Sequence, residues 1–132
     1  MAWWIALVVG ALAARLLDVV LRRNGAAGRR RGWSLGLLVA ALIYVAFALP
    51  VGGSALRLEA LGVLAYLPFA VLGWRGSSKA LAVGWALHVA WDLALHGPAT
   101  PFVPVLYPPL CLGFDLAVAG MLLPPSPVAA HE

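Results

Sequence analysis

With 132 residues, 64% of them hydrophobic and 11% charged, the chain has too little polar surface to clothe a water-soluble globule. Its net charge of +4 comes with no aromatic interleaving and no nucleic-acid-binding fold, so membrane lipid rather than nucleic acid is the expected partner. The single cysteine, Cys111, excludes an internal disulfide and any multi-cysteine metal site, and it reads as a buried, inert thiol.

Apolar runs of about twenty residues, bounded by charge, glycine and proline, predict an all-α, polytopic membrane bundle of five transmembrane helices. Residues 1–132 read as one integral membrane domain. The first span covers Ala2 to Leu21. Ala11-Leu12-Ala13 has the small-x-small pattern of a leader cleavage site, but no basic residue precedes the run and Arg15 and Asp18 interrupt its far end, so the segment reads as retained. Arg15 and Asp18, on one helix face, are expected to form a structural ion pair. The second span runs from Trp33 to Leu49, the third from Ser54 to Trp74, and the fourth from Ser78 to His96. The fifth ends near Leu123. Short connections predict that sequential helices are antiparallel neighbours.

Arg22, Arg23, Arg29, Arg30 and Arg31 fall in the first connection and Arg75 and Lys79 in the third. The positive-inside rule makes both cytoplasmic, with the amino terminus outside, the carboxyl terminus inside, and the cell (inner) membrane as the location. On the opposite side, Pro98, Pro101, Pro104, Pro108 and Pro109 forbid a regular helix. A helix starting at Pro108 or Pro109 has only about fifteen residues, too few for about 30 Å of hydrocarbon. Residues 97–109 then either dip into the outer leaflet as irregular backbone or form an external loop followed by a tilted helix.

Few ionisable groups enter the apolar segments, and such groups usually face the interior of a bundle and serve a function. His88, Asp92 and His96, four apart in succession, line one side of the fourth helix. At about 1.5 Å of rise per residue, Glu59 and Asp92 both lie roughly 7 Å below the outer boundary and His88 near the middle. Tyr44 and Asp115 reach the same half, and Arg57, slightly above, is placed to neutralise one carboxylate. His88 and His96 are separated by about 12 Å of rise and cannot share one ion on a straight helix. A divalent metal is possible but not required; it would use Asp92 with either histidine, completed by Glu59 or Asp115.

The candidate site is therefore Asp92, His88, Glu59, Asp115 and His96. Burial and neighbouring charge can drive such carboxyl groups apart into proton donor and acceptor. The leading expectation is a membrane-embedded acid/base enzyme acting on a lipid-like or isoprenoid-like molecule, with the histidines orienting the carboxyls. The alternative is a proton- or metal-binding transport or accessory protein without catalysis; as a pathway, so small a bundle would need a homo-oligomer. No nucleophile elbow or phosphate-binding glycine loop accompanies these residues.

The block from Val83 to Asp92, then His96, Pro101-Phe102-Val103-Pro104, Cys111 and Asp115, resembles a family of small bacterial integral membrane proteins assigned to a domain of unknown function. That family's pattern is a His-x-x-x-Asp helix ending in histidine, a proline-rich connection, and a cysteine shortly before an aspartate. The resemblance covers about the last third of the chain, where His88, Asp92, His96, Cys111 and Asp115 match. It departs at Leu95, where members carry a second histidine. The resemblance implies a shared site without naming its reaction.

Overall fold

Five α-helices carry the regular structure of the computed structural model, which describes residues 1–97 and 100–124 and has no strand among them: α1 (Ala2–Arg22), α2 (Gly25–Ala48), α3 (Gly53–Arg75), α4 (Ser78–Leu95) and α5 (Tyr107–Leu122). The first three are long and apolar enough to cross a membrane, whereas α5, with 16 residues, is short. It starts where prolines suit the first turn, with Pro108 and Pro109 just inside it. Pro98 and Ala99, within the proline-rich connection, lie outside the described residues, as do residues 125–132.

Helix α2 begins about two turns earlier than Trp33. Its arginines are unwelcome in hydrocarbon but are good helix formers, so the backbone stays helical beyond the apolar stretch. Only Arg23 and Asn24 separate it from α1. The α3–α4 turn is closed by Ser77, whose side chain accepts a hydrogen bond from Ala80 N at 3.1 Å and caps α4.

A buried core draws on all five helices, with Ala14, Trp33, Leu37, Tyr66, Ala70, Leu81, Trp85 and Val118 among its members. Trp33 and Trp85 meet edge to face at a centroid distance of 5.8 Å, and Phe114 packs against both. The sequential pairs α2–α3, α3–α4 and α4–α5 pack together, but the most extensive partner of α1 is α5. Ala6, Gly10, Ala14 and Asp18 form the buried stripe of α1 at four-residue spacing. A side chain at Gly10 would collide with the Leu110 carbonyl, and one at Gly113 with the Leu7 carbonyl. Each glycine thus faces the carbonyl three residues before the other, a backbone-to-backbone crossing of the small-residue kind used inside membranes.

Asp18 is buried, but its partner is not Arg15, which is exposed. Arg22 Nε and Arg29 Nε bond its two oxygens at 2.7 and 2.6 Å, and Trp33 Nε1 donates to Oδ1 at 2.9 Å. Arg29 also donates to the Met121 carbonyl and Arg30 to the Gly73 carbonyl, while Arg31 lies over the Trp74 ring. The basic residues therefore join the ends of α1, α2, α3 and α5 at one end of the bundle. The buried ionisable residues of α3, α4 and α5 gather toward the other end.

Candidate functional site

Four-residue spacing sets His88, Asp92 and His96 along one side of α4, and that side faces inward: the three are 0, 3 and 2% exposed. Glu59, in the second turn of α3, and Asp115, two turns into α5, are buried as well. All five residues expected from the sequence come together, in two linked halves.

In the first half, His96 Nε2 shares a hydrogen bond of 2.6 Å with Glu59 Oε1, and Trp91 Nε1 donates to Glu59 Oε2 at 3.3 Å. The Trp91 indole reaches that oxygen by lying on Gly62, where a Cβ would sit 2.9 Å from the ring. Tyr44 stacks face to face on His96, with centroids 3.8 Å apart and planes 6° from parallel. In the second half, His88 Nδ1 shares a hydrogen bond of 2.5 Å with Asp115 Oδ2, to which Cys111 Sγ donates at 3.5 Å. Asp92 lies between the halves: Oδ1 is 3.5 Å from His96 Nδ1 and Oδ2 is 3.7 Å from His88 Nδ1. Neither oxygen makes a hydrogen bond, and His88 Nε2, His96 Nδ1, Asp115 Oδ1 and the Tyr44 hydroxyl are likewise buried and unbonded.

Charge counting shows what this arrangement demands. The three buried carboxyls, Glu59, Asp92 and Asp115, have only His88 and His96 as ionisable nitrogen partners among the described residues. Two imidazolium ions offset two carboxylates, so the third carboxyl must hold a proton or face another cation, because an uncompensated buried charge costs several kcal/mol. Arg57 does not supply that cation: it is exposed, and no described ion pair includes it. As an arginine near a helix end it turns its charge outward, away from the costly interior.

Cys111, read from its own chemistry as a buried, inert thiol, is buried. The structure adds its place in the cluster: one ligand atom each from His88, Asp92, Cys111 and Asp115 lie within 4.8 Å of one another. The usable signal was the four-residue spacing of Cys111 and Asp115 on one helix.

Two hollows lie beside the buried cluster. A cleft of about 180 Å³ reaches Asp92 and His96 between Trp3, Gly97, Pro108 and Leu112. A larger groove of about 500 Å³, lined mainly by apolar residues of α1, α2 and α5, has Cys111 and Asp115 in its wall. Val103 of the proline-rich connection is buried against Tyr44 and Cys111 and closes the site from its own side.

Among the described residues, fold and site together define an all-α arrangement of five helices, three of them able to span a membrane, with a buried histidine, carboxylate and thiol cluster. Comparisons with protein-family models, curated proteins and solved structures find no match to the chain.

Proposed function

We propose that this chain is an integral membrane enzyme that transfers protons to and from a lipid-like or isoprenoid-like substrate. The observation that carries this reading is the Asp92 carboxylate, buried and unbonded between two histidines that are each held by another carboxyl group. A group so placed can take or release a proton without first breaking a hydrogen bond of its own. His96 passes charge toward Glu59 and His88 toward Asp115, so donor and acceptor roles fall to Asp92 with either outer carboxyl. The apolar groove at Cys111 and Asp115 suits a substrate arriving from hydrocarbon, and the smaller cleft at His96 suits water. Isomerisation, hydration and cyclisation are the reactions such a pair supports. The resemblance to small bacterial membrane proteins of unknown function belongs to the same proposal.

Isotope incorporation tests this without a purified substrate. Wild-type protein in nanodiscs, given a total lipid extract of the producing cells in deuterated, heavy-oxygen water, is expected to place label in one lipid species detectable by mass spectrometry. Asp92→Asn, nearly isosteric, should lower that incorporation by about a hundredfold or more while leaving the bundle folded. Equal labelling by the two proteins, or none by the wild type, rejects the reading. The transport and accessory alternative predicts no labelling, together with an Asn that is tolerated or stabilising.

The same reading has all five helices crossing the cell membrane, with the arginine-rich end cytoplasmic. Val105, 78% exposed, and Ala26, exposed near the start of α2, lie toward opposite ends. A cysteine at Val105 should react with a membrane-impermeant maleimide in intact cells and one at Ala26 only after permeabilisation. The reverse pattern would invert the topology.

A further inference from the structure

We infer that His88, Asp92, Cys111 and Asp115 form a binding site for one zinc ion. Its use in catalysis rests on the acid/base reading above; its existence does not. Four ligand atoms of mixed character, one imidazole nitrogen, two carboxylate oxygens and one sulfur, lie within 4.8 Å of one another on the inward faces of α4 and α5. Tetrahedral zinc with bonds of about 2.0 to 2.3 Å sets its ligands about 3.3 to 3.8 Å apart. The separations of 3.7 Å from His88 Nδ1 to Asp92 Oδ2 and 3.5 Å from Cys111 Sγ to Asp115 Oδ2 fall in that interval. The 2.5 Å contact of His88 with Asp115 is a hydrogen-bond length and must open by about 1 Å.

Independent support comes from the atoms with no partner. Both Asp92 oxygens and Asp115 Oδ1 are unbonded in residues that are 3 and 0% exposed, where an unpaired carboxylate is strongly disfavoured. The third carboxyl, left over when two histidines are set against three acids, also calls for a cation. On binding, three protons leave, one from the thiol, one shared by His88 and Asp115, and the one that Asp92 holds when no cation faces it, and the ion takes their place as a thiolate, two carboxylates and a neutral imidazole close around it. The mixture of sulfur, nitrogen and oxygen favours zinc over magnesium or calcium, which prefer all-oxygen sites. His96 stays outside, bonded to Glu59 and 3.5 Å from the far oxygen of Asp92, so one carboxylate links the ion to the Glu59–His96 pair.

The 132-residue chain, stripped with a chelator in detergent and titrated with cobalt(II) as the probe, should bind one ion per chain. A near-ultraviolet thiolate-to-cobalt charge-transfer band should appear and be displaced by zinc. Cys111→Ser should remove that band, and Asp92→Asn or Asp115→Asn should weaken binding by about a hundredfold or more, whereas His96→Gln should retain the stoichiometry. Wild-type protein that takes up no cobalt, or keeps its spectrum in Cys111→Ser, overturns the site without depending on how any other variant folds. Labelling of lipid without a bound ion overturns the zinc site alone. A bound ion without labelling upholds it and rejects the acid/base reading.

Discussion

Replacing Gly113 with leucine should prevent the bundle from closing, and even Gly113→Ala should lower its stability by more than about 3 kcal/mol, the upper end of ordinary overpacking. The obstacle at this position is the Leu7 carbonyl, part of a helix backbone that no rotamer change can move aside. A Cβ there therefore pushes α1 away along its whole contact with α5, the most extensive interface of the bundle. Gly10→Ala meets the reciprocal obstacle, the Leu110 carbonyl, and should do the same. Gly120, also in α5, has open space within 4 Å of where a methyl group would sit, so Gly120→Ala should be neutral or gain up to about 1 kcal/mol from helix propensity. Unfolding by increasing SDS mole fraction, followed by circular dichroism, would separate Gly113→Ala and Gly10→Ala from Gly120→Ala. A Gly113→Ala midpoint equal to that of Gly120→Ala would refute the backbone crossing.

The second large effect is expected at the basic end. Asp18→Ala should cost about 3 kcal/mol, the lower end of the range for breaking a buried ion pair, because one of its two arginines can turn to water. That arginine is Arg22, whose side chain is 62% exposed; Arg29 is only 20% exposed, and Trp33 Nε1 would lose its acceptor. Arg22→Ala should accordingly cost less than about 1 kcal/mol. Asp18→Asn should fall between them, since the amide oxygen can still accept from the indole. Equal losses for Asp18→Ala and Arg22→Ala in the same SDS titration would show that Asp18 acts only through its surface partner.

The contrast between Asp18 and the inner cluster explains which features are legible in the chain. Spacing along one helix is a local property, so His88, Asp92 and His96 were legible as a stripe and Glu59 as a residue of similar depth. Which histidine meets which carboxyl depends on how α3 and α5 are rotated about their axes. Hydropathy is nearly uniform around these helices and does not encode that rotation. The pairing of Glu59 with His96 and of Asp115 with His88 therefore emerged only from the three-dimensional structure. Arg15 and Asp18 satisfied the spacing rule as well, but Arg15 is exposed and Arg29, from the next helix, bonds Asp18. The ends of α3, α4 and α5 were legible because glycine, serine and proline mark them in the chain. The start of α2 was not, since an arginine reports where hydrocarbon stops rather than where helical hydrogen bonding stops.

The pairing of α1 with α5 bears on the order in which the chain is made. On the proposed membrane reading, α1 is made well before its main partner α5, so it stays loosely attached to α2 until α3, α4 and α5 have followed. Cys111 and Asp115 arrive with α5, and until then His88 lacks the carboxyl that holds it. A chain halted before Tyr107 would carry Asp92 and His88 without the groups contributed by α5. On that reading, closing of the scaffold and completion of the candidate site both wait for α5.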